Sequence, residues 1–590
     1  MTVPTILRLT IKRFRGIKDL DWHPAPGLNL ILGGGDVGKT TILDAICLLL
    51  SPVNPANLPD TDFFGRELDG GFSIDAVLSL PPGCGINTQM KPSWPWEWDG
   101  KEAIVPGLED TPATENDAVY CVRVRGTEDL ELYYEVVQPD GSADSFPVAL
   151  RRQIGLVRLG GDDRNDRDLR LVQGSALDRL LSDKGLRSRM ASTLADTDIK
   201  EELADAAKTS LAGLDASFQK RRLPSGLDLQ ITGGQGASIA SMVGLTAERD
   251  GMTLPLASWG AGTRRLAALA IAEENQGQTP ITVVDEIERG LEPYRQRVLM
   301  DSLQDSETQV FVTSHSPASI SAAAKAALWY VDHNGHIGRI KGAVTDRHRE
   351  KDPEMFLSRL TIVAEGRTEQ GAVHRLIERA LGGPLAPYGV HVCDGGGHED
   401  TLQLLEALAA SGLRFGGYAD EEKLHPARWK ALHEQLGALL FRWEAGCIEE
   451  EVINAVADDR LEALVTDPAG VRTGTRLRLL ADRLGIEAKD FAAIRAAAGD
   501  QLRPIMIAAA LGKVPPGKEA QKKAFQSQAQ SWFKSRGGGA ELGDKIFALS
   551  LWPTFAPRLM PFCNAVRRAV GLEDLAGLGG WASRCQRQIG

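Results

Sequence analysis

Apolar and polar positions along the first 50 residues alternate and then change period. Residues 7–12 alternate as a half-buried strand does, and 28–32 form a short apolar run ending at Gly33. Residues 39–50 form a helical run behind a glycine-rich turn. Residues 72–80 and 117–137 read as further antiparallel strands, with turns at Gly126-Thr127 and Asp140-Gly141. Between them, 81–116 is rich in Pro, Gly and Trp and reads as a loop. Residues 174–222 carry Ala, Leu and charge with few glycines and read as a helical module inserted into strand-rich chain; strand patterning resumes near 226–247. From 260 the order is helix, strand 280–285, helix 292–304, strand 308–312, which predicts a parallel sheet with crossover helices. A second alternation begins near 353: strand 359–364, helix 368–382, strand 389–393, helix 399–411, strand 414–419, helix 426–437. Residues 443–530 read as mainly helical. Pro353 and the charged segment 346–354 mark the expected boundary between a domain at 1–350 and another at 351–590, both of the α/β class.

Composition adds the class and charge adds a contrast. The chain has 590 residues, 43% hydrophobic and 25% charged, which is globular and excludes disordered and fibrous proteins. A net charge of −12 lacks the overall basic footprint of a nucleic-acid protein. The balance is uneven, however: 361–500 has 15 basic and 23 acidic residues, net −8, and 501–590 has 13 basic and 5 acidic, net +8. An acidic segment beside a basic one suits a site that holds cations and meets a polyanion. The seven cysteines form no CxxC pair and read as reduced thiols of a cytoplasmic protein. The N-terminus has no signal-peptide core, and no stretch approaches the length of a membrane span.

Residues 33–40, Gly33-Gly34-Gly35-Asp36-Val37-Gly38-Lys39-Thr40, fit GxxxxGK[ST] between a strand and a helix. Gly33, Gly35, Asp36 and Gly38 turn backbone N–H groups toward a phosphate, Lys39 reaches the β- and γ-phosphates, and the Thr40 hydroxyl ligates Mg²⁺, with Thr41 next to it. The strand before Asp285 and Glu286 ends in two carboxylates: Asp285 is placed to hold Mg²⁺ and Glu286 to polarise the attacking water. Ser258-Trp259-Gly260 opens a helix before Asp285 and resembles the signature motif of ABC-type ATPases; His315, at a later strand end, resembles their switch histidine. The opening ILRLTIKRFRGIKDLDW resembles RecF- and SMC-like ATPases. That resemblance implies ATP held between two copies, with Ser258 and Gly260 of one completing the site of the other. Gln89 is a weak candidate for the Q-loop glutamine.

Two further acidic pairs stand at strand ends. Glu365 and Glu369 follow the strand at 359–364, and Asp420 and Glu422 follow the strand at 414–419. Four carboxylates from neighbouring strand ends make a hard-oxygen site for Mg²⁺ or Mn²⁺, suited to positioning a nucleophile in phosphodiester cleavage. This part resembles a Toprim domain, with Asp-x-Glu at Asp420 and Glu422 where the usual motif is Asp-x-Asp. One of Glu449, Glu450 and Glu451 is a further ligand candidate. An ABC-type ATPase followed by Toprim resembles the OLD family of nucleases (overcoming lysogenisation defect), to which the Gabija nuclease subunit is close. The resemblance implies a metal-dependent DNA endonuclease in antiviral defence or repair, with ATP and Mg²⁺ or Mn²⁺ as cofactors. It also implies a homodimer or higher oligomer built on 174–222, a helicase or other defence protein as partner, and a late lysine that stabilises charge on the scissile phosphate. Lys534 is the choice and Lys545 the alternative. The rival readings are an effector that cuts RNA or tRNA and a non-nucleolytic RecF/SMC-like DNA-binding ATPase. A topoisomerase is disfavoured: beyond 350 the only tyrosines are Tyr388 and Tyr418, both at proposed strands.

Overall fold

The computed structural model describes residues 3–55, 58–81, 95–106, 118–159, 168–172, 175–181, 199–231, 243–274, 281–413, 415–467, 469–515 and 519–575. The chain divides into two compact units. One comprises Met1–Leu32 and Gly38–Trp329; the other comprises Gly33–Val37 and Tyr330–Gly590.

In the first unit, strand Thr5–Phe14 pairs antiparallel with Ile17–Trp22 on one side and Phe72–Ser79 on the other, and Ala118–Gly126 follows. Ile6, Leu9, Ile11 and Phe14 are fully buried. The odd step from Ile6 to Leu9 is absorbed by a register shift between Ile6 and Arg8, which keeps Ile6 on the face of Leu9 and Ile11. The Pro/Gly/Trp-rich stretch read as a loop contains a hairpin in its described part. There Trp96–Trp98 pairs with Ala103–Ile104 and with Ala118–Gly126, held by the Trp96 indole N–H donating to the Val137 carbonyl at 2.8 Å. Gln89 lies outside the described residues.

A second sheet orders strands Leu156–Leu159, Ile281–Val284, Val310–Thr313 and Leu28–Gly33, all parallel. The last three are buried along their whole length, as parallel strands covered on both faces must be. Of the helical module at 174–222, helices Ala176–Leu181 and Asp205–Lys220 are described, and 182–198 lies outside. Ala207, Leu211, Leu214 and Phe218 form the buried stripe of the longer helix.

The second unit holds a four-stranded parallel sheet in the order Val390–Asp394, Leu360–Ala364, Gly416–Ala419, Leu440–Arg442. The alternation expected from sequence is present; Arg414, assigned to the third strand, lies outside the described residues. The charged segment 346–354 is not a linker. It continues helix Ala343–Lys351 into a 3₁₀ turn, Pro353–Phe356. Thr345, His348 and Arg349 recur at helical spacing on the buried side, and Met355 and Phe356 are fully buried. The contact boundary falls at Trp329/Tyr330 instead.

Helix Arg536–Ala548 crosses helix Arg367–Leu381 at very close range. A Cβ on Gly539 would stand 1.9 Å from the Thr368 carbonyl oxygen, and one on Gly371 would stand 2.0 Å from that of Arg536. The Thr368 hydroxyl donates to the Phe533 carbonyl at 3.0 Å, which fixes the segment carrying Lys534 against the helix carrying Glu369. Gly539→Ala is therefore expected to destabilise the protein by about 1–3 kcal/mol, read as a fall in melting temperature; an unchanged value would contradict the close approach.

Candidate functional site

Strand Leu28–Gly33 passes through a turn with φ of 142° at Gly33, 59° at Asp36 and 95° at Gly38 into helix Lys39–Leu49. The Ile42 N–H donates to the Gly38 carbonyl at 3.0 Å and starts the helix. Lys39 is buried, Gly35, Asp36 and Thr40 are exposed and Thr41 is half-buried. The Thr40 hydroxyl donates to Asp285 Oδ1 at 3.3 Å, so the two expected Mg²⁺ ligands converge. Thr313, which sequence reading passed over, organises the acidic pair. Its hydroxyl donates to Asp285 Oδ1 at 2.6 Å and accepts from the Glu286 N–H at 2.8 Å. Glu286 takes φ of 48°, a left-handed conformation unusual for a side chain of this kind. A guanidinium N–H of Arg265 donates to the Asp285 carbonyl. The backbone N–H of His315 donates to Glu288 at 2.6 Å, and the Ser314 hydroxyl to the same carboxylate at 2.8 Å. Burial, and then the charge of Lys39, hold the His315 imidazole below its ordinary pKa. Ser258 ends a 3₁₀ turn and donates to the Pro255 carbonyl at 2.7 Å; Gly260 directly precedes helix Ala261–Glu274.

In the second unit the carboxyl ends of the sheet gather carboxylates. Glu365 and Asp420 directly follow their strands, and Glu369 and Glu449 stand in the first turns of helices Arg367–Leu381 and Ile448–Ala455. Their exposures are 7%, 8%, 4% and 0%. Such burial penalises a charged carboxylate unless a cation or several hydrogen bonds compensate. Compensation is thin: Asp420 Oδ1 and Glu369 Oε1 have no hydrogen-bond partner, and Glu365 Oε2 accepts the Asp420 N–H at 2.9 Å. Burial first, then the charges of Glu369, Glu449 and Glu365, drive the Asp420 pKa well up; burial and Glu449 drive Glu369 up. Glu365 is raised as well, chiefly by burial.

Among the described residues Lys534 supplies the ammonium of the group, 2.8 Å from Glu449 Oε1. Burial works against its charge, but Glu449 and Glu369 outweigh it and raise its pKa. Lys545 is elsewhere: it donates to the Ala463 and Thr466 carbonyls at 2.6 and 2.7 Å and pairs with Glu541 at 3.2 Å, the pattern of a structural hub. Among the three consecutive glutamates only Glu449 turns inward. Glu450 pairs with Lys513 at 2.9 Å and Glu451 with Arg558 at 2.6 Å. Glu422, with a side chain 48% exposed, is grouped with Glu365 and His398, while Asp420 is grouped with Glu449 and Cys447. His398 and Cys447 carried no signal in the sequence reading.

Several of the described basic residues of 501–590 are paired within the protein. Besides Lys513, Lys534, Lys545 and Arg558, Arg568 pairs with Asp574 at 2.7 Å, and Arg567 donates to the Glu573 and Ala380 carbonyls. Lys534→Ala is expected to leave divalent-cation affinity equal or higher, since it removes a competing charge, and to lower any phosphodiester cleavage by about a hundredfold. Titration calorimetry and a cleavage assay read the two effects; weaker cation binding would contradict them.

The family model described as "AAA domain" matches residues 8–205, and that described as "AAA domain, putative AbiEii toxin, Type IV TA system" matches 140–321. The DNA replication and repair protein RecF of Mesorhizobium japonicum is 24% identical over 395 residues, 57% of this chain and 98% of that protein. RecF of Shewanella baltica is 23% identical over 349 residues, 54% of this chain and 93% of its own length. The first part of this chain is thus similar to AAA-domain ATPases and to RecF. Solved structures similar to it include an Smc head domain from Pyrococcus furiosus (13% identity, TM-score 0.36, covering 60% of this chain and 99% of that one) and RecF (14% identity, TM-score 0.34, covering 58% and 99%). Among the described residues no helix is long and apolar enough to cross a membrane.

Proposed function

We propose that this protein is an ATP-hydrolysing enzyme that binds DNA and cleaves its phosphodiester bonds at the acidic site of the second unit, using Mg²⁺ or Mn²⁺. The observation that carries the reading is the buried carboxylate group with a single lysine: Glu369, Asp420 and Glu449 around Lys534, bordered by Glu365. Buried hard-oxygen ligands with unpartnered atoms fit a divalent cation, and such a site resembles Toprim and the OLD nucleases. A cation bound there supplies Lewis acidity to a phosphodiester oxygen. Glu369, Asp420 and Glu449 would hold such a cation, and Lys534 would stabilise negative charge developing on the phosphate. In the first unit, Thr40 and Asp285 would hold the Mg²⁺ of ATP, Lys39 its phosphates, and Glu286 the attacking water, with His315 beside them. Ser258 and Gly260 of a second copy would close the nucleotide site, and the helical module at 174–222 would join the two copies. A cytoplasmic role in antiviral defence or repair, with a helicase or similar partner, follows from the same resemblance.

A second reading keeps the ATPase and drops the cleavage. The relatives named RecF, a DNA replication and repair protein, favour a DNA-binding ATPase; their alignments span 52–57% of this chain. One experiment separates the two. Purified protein is incubated with plasmid, linear DNA and tRNA, with Mg²⁺ or Mn²⁺, with and without ATP, beside Glu365→Ala. Cleavage of DNA that Glu365→Ala abolishes supports the nuclease; DNA binding and ATP hydrolysis with no cleavage under either metal supports the second reading.

A further inference from the structure

Arg151 stands in helix Val148–Ile154 of the first unit and is 1% exposed. A guanidinium so buried ordinarily faces a carboxylate. Among the described residues no carboxylate pairs with this one. One Nη donates to the Ser51 carbonyl at 2.8 Å and the other to the Asn54 amide oxygen, while Nε has no hydrogen-bond partner. Ser51 lies just past helix Lys39–Leu49, so its carbonyl brings the partial negative charge of a helix C-terminus and not a full one. Burial, the largest influence, holds the Arg151 pKa below its ordinary value. The guanidinium carbon lies 3.6 Å from the centre of the Tyr134 ring and 5.9 Å from that of Phe146. These residues line a cleft of about 540 Å³ beside the hairpin of strands Leu132–Val137 and Ala143–Ser145. A guanidinium carries five N–H donors, and the bonds to Ser51 and Asn54 use two of them.

We propose that this cleft binds a small organic acid, with the ligand's carboxylate on Arg151 and its apolar body along the aromatic wall. The carboxylate accepts from Nε–H and takes the place of the Asn54 amide oxygen at Nη, because a charged acceptor bonds a guanidinium more strongly than a neutral one. Asn54 is exposed, so its side chain can turn out into solvent. Charge and size select the ligand class. The cleft offers one positive charge that no carboxylate offsets, and the neighbouring Arg152 is turned to the Pro52 carbonyl at 2.8 Å. Asp144, which accepts from the Gln138 amide at 2.9 Å, adds its own negative charge to the wall. A monoanion therefore suits the cleft better than a phosphate. The volume falls within the roughly 300–1,000 Å³ of small-molecule pockets. None of these residues belongs to the nucleotide site or the acidic site, so binding here does not depend on the cleavage reading.

The test titrates the full-length protein with phenylacetate, phenylacetamide and inorganic phosphate, read by calorimetry and ligand-observed NMR. Phenylacetate is expected to bind one site with a Kd of about 1 mM or below. The amide and phosphate are expected to bind at least about tenfold more weakly. Asn54→Ala removes the competing acceptor from the surface and should tighten phenylacetate about threefold or more. Arg151→Gln should abolish binding; if that variant does not fold, the acid–amide comparison on the wild-type chain and the Asn54→Ala result decide without it. Amide or phosphate bound as tightly as the acid overturns the proposal, as does the absence of saturation below about 10 mM acid. An affinity that Asn54→Ala leaves unchanged or weakens overturns it too, and so does a folded Arg151→Gln protein that binds like the wild type. A tripeptide ending in phenylalanine with a free carboxylate is the last arm: binding about tenfold tighter than phenylacetate would assign the cleft to a polypeptide terminus and overturn the small-acid assignment.

Discussion

Replacing Asp420 with asparagine makes the cation-free protein more stable and removes its response to divalent cations. Asp420 is 8% exposed, one of its oxygens has no partner, and Glu369, Glu449 and Glu365 all oppose its charge. Asparagine keeps the shape and removes the repulsion. A pKa raised by even one unit corresponds to about 1.4 kcal/mol, so the melting temperature should rise by about 2–4 °C or more. The same change removes a ligand, so Mn²⁺ should no longer raise the melting temperature, and cleavage should fall at least about a hundredfold. Differential scanning calorimetry with and without Mn²⁺ measures both. A less stable apo variant that still responds to Mn²⁺ would sink the assignment.

The pH dependence follows from the same shifts. Glu365, Glu369 and Asp420 have folded pKa values raised above their ordinary ones. The folded state thus holds protons that the unfolded chain releases from about pH 4 upward. The stabilisation from the protonated groups is fully present below that pH and is lost as pH rises toward and past neutrality. Saturating Mn²⁺ should reverse the slope, because the cation binds the ionised form.

The second large effect belongs to the other unit. Lys39→Ala should abolish ATP binding and lower ATP hydrolysis by about a hundredfold or more, the loss expected when a preorganised charge at a phosphoryl group is removed. Lys39 lies beside the Thr40–Asp285 contact in the chain, and its charge reaches the His315 ring. Phosphate release and binding of a fluorescent ATP analogue read the effect. Hydrolysis at the wild-type rate would place the nucleotide elsewhere.

What could be read from the sequence follows the range of the interactions. The glycine-rich turn with Lys39 and Thr40, and the strand ends at Asp285, Glu365 and Asp420, are local patterns, and the strands that carry them pair as expected. Thr313 was missed because its role depends on lying beside Asp285 across 28 residues. Which of Glu449, Glu450 and Glu451 turns inward depends on the phase of an eight-residue helix against the sheet, and three consecutive acids give no phase. The segment 346–354 reads as a charged boundary in sequence, and that Thr345, His348 and Arg349 pack inward depends on the helix phase, which charge density does not give. His398 meets Trp429, 31 residues along the chain, through a hydrogen bond that no spacing rule predicts. The choice between Lys534 and Lys545 was likewise a question of what each ammonium meets: Glu449 for one, backbone carbonyls and Glu541 for the other.

The most direct measurement is the anomalous scattering of Mn²⁺ in crystals of the full-length protein. A peak within bonding distance of Glu369, Asp420 and Glu449, lost in Asp420→Asn, is the result expected if the second unit is a cation-dependent phosphodiesterase. Well-ordered carboxylates with no peak among them at saturating Mn²⁺ would contradict it.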